Sequence, residues 1–345
     1  MQPDKRSPIK LNMKTEKKKA YSKFFNILVS ILVLGGMAVF IYRNRTNFTF
    51  LKNINYHYLI IIFSIACVLI TMASFRYYLI LKSVAVHTRF ASCYKSFILG
   101  RLLNKIIPRS GGVYRAVYHK KTENVSYRNF ISAYMSFVYL DIFIYMLVGL
   151  ILVFIYNRRL SIRDIPIVYI FIAAIGCMVI FLVLAKYIST RTKTSYKNKI
   201  FEKIITNMKH IIEGLFLIFK HTKMLTVNAL LILFGFFIHT ILLFICYHSI
   251  QVVTTIPHLS LFVVLNKCLT LITITPGNLG IREFLYAFLA QSMAIGSAQG
   301  LSVALIVRIS NFIILCVLSL VVILRERFMN KSDEGKCPPG PGRSK

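Results

Sequence analysis

The sequence is dominated by apolar segments that are long enough to cross a lipid bilayer as helices. A helix needs about 20 apolar residues to span a hydrocarbon layer roughly 30 Å thick. Segments of about this length lie near residues 24–42, 58–81, 130–156, 165–186, 225–248 and 301–324. Because lipid offers no hydrogen-bond partner to the backbone, such segments fold as helices. We therefore predict an all-α integral membrane protein with about six full transmembrane helices.

The charge of the chain is strongly basic and unevenly distributed. Hydrophobic residues make up 57% of the sequence, charged residues only 16%, and the formal net charge is +32. A basic chain often binds nucleic acid, but most of the 43 Lys and Arg residues lie in polar segments between apolar spans. This distribution follows the positive-inside rule, which places both termini in the cytoplasm of a multi-pass cell-membrane protein. We predict membrane lipids as partners, because the basic face attracts anionic headgroups, and no nucleic acid.

Three segments outside the apolar spans have a distinct composition. Residues 1–22 form a basic, polar arm, and residues 328–345 form a Pro/Gly-rich tail that we predict to be disordered and cytoplasmic. The membrane domain lies between them, at residues 23–327. Within it, residues 200–222 carry apolar side chains at i, i+3, i+4 and i+7, which predicts an amphipathic helix in the membrane interface. An ordinary helix packed on the membrane domain would show the same pattern.

The stretch Thr275–Glu283, Thr-Pro-Gly-Asn-Leu-Gly-Ile-Arg-Glu, is the least lipid-like part of an apolar region. The apolar arms on its two sides, residues 259–274 and 284–295, are each too short to span the membrane. Backbone freed at such a break must be buried in protein or face a wet cavity. We therefore predict a re-entrant hairpin over about residues 259–295. Short segments interrupted by Pro and Gly also indicate a transporter's binding site.

A second interrupted segment lies earlier in the chain, at about residues 94–115. It is predicted to be a short helix stopped by Pro108, followed by a glycine turn at Gly111 and Gly112 that ends at Arg115. The charge distribution requires this hairpin to enter from the cytoplasm and the later one from outside. Two re-entrant hairpins of opposite orientation indicate an inverted repeat.

Two motifs, in this order, carry a resemblance to a known family. The pattern N-x-x-x-P-x-x-x-G-x-x-R is formed by Asn104, Pro108, Gly112 and Arg115. The pattern P-G-x-x-G-x-R-E is formed by Pro276, Gly277, Gly280, Arg282 and Glu283, and Arg308 follows in the last span. From about Phe24 to Arg325 the chain resembles the lysylphosphatidylglycerol synthase transmembrane family, whose members are described as flippase-like. Asn278 stands where the second motif commonly has glycine.

The resemblance implies a role in lipid transport. In fused members this membrane domain is implicated in moving aminoacylated phosphatidylglycerol between leaflets, and a soluble aminoacyl-transferase domain makes that lipid. This chain stops soon after its last span, so we expect no synthase domain and no enzymatic activity. Stand-alone relatives are linked to glycolipid or polyprenyl-linked export, so the implied cargo is an anionic, aminoacylated or glycosylated lipid. The alternative is a membrane subunit that presents lipid to a separate cytoplasmic aminoacyl-transferase or glycosyltransferase.

The motif residues are the predicted substrate-binding set. Arg282 follows the break, near the start of a half-helix expected at Ile281, where its guanidinium can hold a phosphate bidentately and helix N–H groups can assist. A structural pair of Arg282 with Glu283 or Asp141 is the alternative. Arg115 is the matching arginine of the first motif, and the alternative for it is a plain cytoplasmic charge. The complete set is Asn104, Pro108, Gly112, Arg115, Pro276, Gly277, Gly280, Arg282, Glu283 and Arg308.

Other ionisable residues lie within apolar segments, where they indicate either function or buried pairing. Arg308 is too deep in its span to reach the interface easily, so we expect a buried partner, Asp141 or Glu283. Asp141 is the one acid well inside a predicted span and is either a coupling acid that relays protons or a neutral, hydrogen-bonded acid. Lys267 either pairs with Glu283 or faces a cavity.

No residue spacing indicates a metal or cofactor site. The seven cysteines form no C-x-x-C pair, and His239 and His248 are not at metal-ligand spacing. The glycine pair at residues 111–112 lacks the context of a nucleotide-binding loop. We therefore predict no metal, no cofactor and no disulfide.

Overall fold

The computed structural model describes residues 56–84, 88–107, 109–156, 161–162, 165–191, 212, 216, 221–269, 278–293 and 295–334. Several sequence predictions fall outside this part of the chain or almost entirely so. They concern the basic arm, the first span at residues 24–42, the interfacial helix at residues 200–222, and Pro108, Pro276 and Gly277.

Within these ranges the chain is helical apart from one very small strand pair. The helices are α1 (Tyr56–Val84), α2 (Phe90–Ile106), α3 (Ser110–Thr122), α4 (Tyr127–Tyr156), α5 (Ile167–Arg191), α6 (Thr222–Ser249), α7 (Ile256–Leu269), α8 (Ile281–Ser292) and α9 (Ser297–Glu334). Strands β1 (Ser161–Ile162) and β2 (Ile165–Pro166) pair antiparallel before α5. The all-α prediction is therefore confirmed except at this two-residue hairpin.

Four of the described helices are long and apolar enough to cross a membrane. They are α1, α4, α6 and α9. Helix α5 carries a shorter apolar stretch, Phe171–Leu184. The prediction that residues 165–186 form one helix is wrong at its start, because residues 165–166 belong to β2. Pro166 lacks an N–H and suits the end of an edge strand that precedes a helix.

The order and the contacts of the helices show two similar halves. A long helix, two short helices and a long helix occur first as α1 to α4 and again as α6 to α9. Helix α1 packs against its counterpart α6. Helix α4 of the first half packs against α7 of the second half, and in the same way α9 of the second half packs against α2 of the first half. If the two halves were exchanged, each of these contacts would coincide with a contact in the same set. The fold therefore supports the predicted repeat.

The first interrupted segment is a tight helical hairpin. Helices α2 and α3 approach so closely that a side chain on Gly111 would lie 2.6 Å from the Gly100 carbonyl carbon. The Gly111 N–H donates to Asn104 Oδ1 over 2.7 Å. The chain reverses at Arg109, whose φ is 62°. The predicted glycine turn is therefore wrong: Gly111 and Gly112 lie in the first turn of α3, and the missing side chain of Gly111 permits the helix contact.

Hydrogen bonds tie the open end of this hairpin together. Glu123 accepts bonds of 2.9 Å from the Arg89 backbone N–H and from His119 Nδ1. The other ring nitrogen of His119 lies 2.8 Å from Ser96 Oγ. Burial raises the pKa of Glu123, but the bonds from His119 and Arg89 outweigh it and leave the pKa below its ordinary value. The ionised carboxylate thus fixes the first turn of α2 to the last turn of α3.

The last helix is longer than its apolar stretch. Helix α9 continues to Glu334, past the predicted end of the span near Leu324 and into the segment predicted to be disordered. That prediction is wrong for residues 328–334. The sequence contains no Gly or Pro between Ser302 and Gly335, so nothing in the backbone stops the helix where the lipid-compatible stretch ends.

A candidate substrate cavity

A cavity of about 520 Å³ lies between the two halves of the described fold. It is bounded by residues of α1, α2, α3, α4, α6, α7, α8 and α9. Its size falls within the range of small-molecule sites, about 300–1,000 Å³. Its polar and charged lining residues are Arg76, Arg101, Asn104, Lys105, Arg109, Tyr134, Tyr145, His239, Asn266, Lys267, Asn278, Arg282 and Asn311. Of the predicted set, Asn104, Gly112 and Arg282 line it.

Two of the lining cations share one carboxylate. Arg76 Nη2 lies 2.8 Å from Asp141 Oδ1, and Lys267 Nζ forms an ion pair with Asp141 Oδ2. Asp141 is buried. The predicted pairing of Asp141 with Arg282 or Arg308 is therefore wrong, as is the pairing of Lys267 with Glu283. Because two cations contact its carboxylate, Asp141 acts as their counter-ion. These ion pairs connect α4 to α1 and to α7.

Four other lining cations have no such partner. In the part of the chain that the structure describes, no carboxylate lies within ion-pair distance of Arg101, Lys105, Arg109 or Arg282. Arg101 and Lys105 lie four residues apart on α2, so they share one face of that helix, and Arg109 lies in the turn that follows. The Arg101 guanidinium lies 5.3 Å from the Phe97 ring centroid. The described wall of the cavity is therefore electropositive.

Arg282 reaches the cavity from the start of α8. This helix begins at Ile281, the position expected from the sequence, and Arg282 is its second residue. Its guanidinium carbon lies 5.6 Å from the centre of the Tyr286 ring, a cation–π distance. The ring supports the side chain without neutralising its charge, which leaves Arg282 available to an anion.

Glu283 and Arg308 stabilise this helix start instead of lining the cavity. Glu283 is only 1% exposed, and its Oε1 accepts a hydrogen bond from Arg308 Nη1. Its Oε2 accepts the Gly280 N–H over 2.7 Å. Gly280 adopts a φ of 79° as the N-cap of α8. Glu283 already places a carboxylate at the N-terminus of α8. The backbone N–H groups of this helix end are therefore expected to contribute less to phosphate binding than the sequence predicted.

Arg115 lies away from the cavity. It is buried, and its Nε donates to the Gly111 carbonyl over 3.1 Å. Its guanidinium carbon lies 5.0 to 5.6 Å from the ring centres of Tyr77, Phe97 and Tyr134. Arg115 is the sixth residue of α3, whereas Arg282 is the second of α8. The two motif arginines are therefore not equivalent, and the rings around Arg115 give it a packing role.

Some atoms in the cavity wall are buried without a hydrogen bond. Within the described residues these include Asn266 Oδ1, Asn278 Oδ1 and His239 Nε2. Sequence reasoning did not select these residues, nor Arg101, Lys105 and Arg109. The i, i+4 spacing of Arg101 and Lys105 in the predicted short helix was a usable signal, because it places the two cations on one face. Asn266 had no sequence signal beyond its position in an apolar arm.

The described lining combines cationic, amide and aromatic groups. It contains no Ser, Thr or Cys, and no Asp or Glu. What the described wall offers is charge from Arg and Lys, amide groups from Asn, and the rings of Tyr134, Tyr145 and His239.

A separate cluster outside the cavity has metal-ligand character. Among the described residues, Cys93, His119 and Glu123 place their ligand atoms within 4.8 Å of one another. They are distant in the sequence, so spacing did not indicate the cluster. Both ring nitrogens of His119 already lie within hydrogen-bond distance of Ser96 and Glu123. Hydrogen bonding therefore accounts for this arrangement.

Comparison with known proteins finds a match that covers most of the membrane domain. A family model described as Lysylphosphatidylglycerol synthase TM region matches residues 27–319. No curated protein and no solved structure matches the chain.

Proposed function

The chain belongs to the lysylphosphatidylglycerol synthase TM region family, and from this premise we propose that it is a flippase-like translocase. In this proposal the chain moves an anionic lipid between the leaflets of the cell membrane. The headgroup passes through the basic cavity while the acyl chains stay in lipid. The family and the apolar helices establish a membrane protein with a lipid-related role; the movement is our proposal.

The observation that carries the proposal is the set of four cavity cations without a described carboxylate partner, Arg101, Lys105, Arg109 and Arg282. Ionisable residues at membrane depth are costly and mark substrate pathways. A phosphate would neutralise part of this charge and accept charge-assisted hydrogen bonds. The arginines supply planar, bidentate donors, which match a phosphodiester better than an ammonium does.

The two halves supply a path for movement. We propose that the α2–α3 hairpin enters the membrane from the cytoplasm and that α7 and α8 enter from outside, with both termini cytoplasmic. The cavity lies between these short helices. Binding sites at the interface of inverted repeats allow one half to rock against the other, which opens the site to each side in turn.

The deciding experiment uses Arg282→Gln in vesicles that contain the purified protein and an anionic reporter lipid. A lost charge-assisted bond contributes about 1.5–3 kcal/mol, so we expect lipid binding to weaken by roughly 10- to 150-fold and movement to fall with it. Arg282→Lys keeps the charge without the planar fork and should retain part of the activity. Unchanged movement in a folded Arg282→Gln protein would refute the phosphate site at Arg282, and a wild-type protein that moves no lipid would refute the translocase.

A matched control separates the cavity charge from basic charge in general. Arg128 is exposed on α4 and does not line the cavity. Arg128→Gln should move the lipid as the wild type does. The melting temperature in detergent is measured for each variant, because a structural role of Arg282 would lower it.

We further propose that this chain is not an enzyme and that a separate aminoacyl-transferase or glycosyltransferase builds the headgroup. The groups that the described lining offers, Arg, Lys, Asn, Tyr and His side chains, suit the binding of an anion and support this. Saturable lipid binding without movement between leaflets would instead favour the alternative, in which this chain is a membrane subunit that presents lipid to that transferase.

A further inference from the structure

Asn266 has one end fixed and the other end without a partner. It is 3% exposed and lies in the cavity wall on α7. Its Nδ2 donates to the Tyr286 hydroxyl over 3.2 Å. Tyr286 is fully buried, and its ring packs edge-on against Phe262 with centroids 4.7 Å apart. This packing fixes the amide, so Oδ1 is the end left for a ligand, and in the described structure it has no hydrogen bond.

A phosphate cannot satisfy this atom. Amide and phosphate oxygens are both hydrogen-bond acceptors. Asn278 Oδ1, in the turn before α8, is a second buried acceptor without a described partner in the same wall. Buried polar atoms are nearly always hydrogen-bonded in folded proteins. The cavity therefore offers two kinds of group, cations for an anion and acceptors for a neighbouring donor.

The charge of the cavity decides which donor fits. A lysylated headgroup would bring ammonium groups beside Arg101, Lys105, Arg109 and Arg282, which like-charge repulsion disfavours. A hydroxyl donates without adding positive charge. Resting on the proposed function, we infer that the cargo is a lipid phosphodiester with a neutral, hydroxylated headgroup, such as a glycerol or a sugar. In this inference Asn266 is the residue that recognises the hydroxyl.

The first test compares two lipids of equal charge, one with hydroxyl donors in its headgroup and one without. Phosphatidylglycerol and phosphatidylmethanol have the same single negative charge, but phosphatidylmethanol has no hydroxyl. With full-length wild-type protein in vesicles, we expect phosphatidylglycerol to bind and move about tenfold or more better. Lysyl-phosphatidylglycerol should be a poorer cargo than phosphatidylglycerol. Equal handling of the two anionic lipids, or a preference for the lysylated lipid, would overturn the inference.

The second test assigns the preference to Asn266. Asn266→Leu keeps the approximate volume and removes the acceptor, so it should lower the handling of phosphatidylglycerol to about the level of phosphatidylmethanol and thereby abolish the preference. Tyr286→Phe removes the hydroxyl that holds the amide and should reduce the preference in part. Asn228 is the matched control: it is 2% exposed, its Oδ1 also lacks a described partner, and it does not line the cavity. Asn228→Leu should leave the preference intact.

The outcomes separate this inference from the proposed function. If neither anionic lipid binds or moves, the translocase proposal itself fails. If both move equally well and Arg282→Gln slows both, the anion site stands and the hydroxyl recognition is refuted. A preference for phosphatidylglycerol that survives in Asn266→Leu would refute the assignment to this residue.

Discussion

At the scale of single residues, Glu283 joins two stabilising interactions. One carboxylate oxygen pairs with Arg308 and the other caps the start of α8 through the Gly280 N–H. Glu283→Gln retains an acceptor for the Gly280 N–H but removes the charge. Leaving one partner of a buried ion pair alone typically costs about 3–5 kcal/mol. We therefore expect a clearly lower melting temperature in detergent.

A double variant tests the reason for that loss. If Arg308 is destabilising only because it has lost the charge of Glu283, Glu283→Gln with Arg308→Met should melt above Glu283→Gln alone. A melting temperature of Glu283→Gln equal to that of the wild type would contradict the structural role assigned to the pair.

The arginines show what residue type alone can predict. Arg282 was predicted to face a substrate and lines the cavity, and the expected acidic partner of Arg308 is Glu283. Arg115 matches the same kind of motif, yet lies among three aromatic rings. Arg76, to which the sequence assigned no role, pairs with Asp141 inside the bundle. The sequence shows that a charge is buried, but its partner comes from helices that only the fold brings together.

At the scale of helices, the two adjacent glycines of α3 have different surroundings. An added methyl on Gly111 would overlap the Gly100 backbone, whereas nothing lies within 4 Å of one added to Gly112. We expect Gly111→Ala to separate α2 from α3, lower the melting temperature and impair lipid movement. Gly112→Ala should be neutral or stabilising by roughly 0.5–1 kcal/mol, because alanine favours a helix.

These two variants are matched in chemistry and adjacent in sequence, so their difference measures the helix contact alone. Equal melting temperatures for Gly111→Ala and Gly112→Ala would contradict the close contact of the hairpin. Movement of the reporter lipid should follow the same order, because the hairpin carries Arg101, Lys105 and Arg109.

Apolar length predicted the long helices well, because that signal is local. The second, third, fifth and last predicted spans correspond to α1, α4, α6 and α9. The glycine pair was assigned to a turn because its role depends on contact with Gly100 on another helix. The predicted end of the last span lies before the end of α9, because hydropathy indicates which residues suit the membrane and does not indicate where a helix ends.

At the scale of the whole molecule, the repeat and the charge distribution combine. The halves α1–α4 and α6–α9 have the same order of long and short helices and equivalent contacts. If basic residues mark the cytoplasmic side, α1 runs inward where α6 runs outward, and the halves are inverted. Motif similarity indicated the repeat only weakly, since Arg115 and Arg282 occupy different helix positions. The packing of the helices gives stronger support than the motifs do.

This orientation predicts which surface positions are accessible from outside the cell. Lys120 is exposed near the end of α3, and Val253, 96% exposed, lies between α6 and α7. Native Cys93 is buried and cannot report on sidedness, so a cysteine is introduced at each exposed position, and the wild type supplies the background. A membrane-impermeant thiol reagent applied to intact cells should label Val253→Cys and leave Lys120→Cys at background. Permeabilising the membrane should then expose Lys120→Cys, which shows that its thiol is reactive. Labelling of Lys120→Cys in intact cells, with Val253→Cys protected, would invert the topology and with it the side from which each hairpin enters.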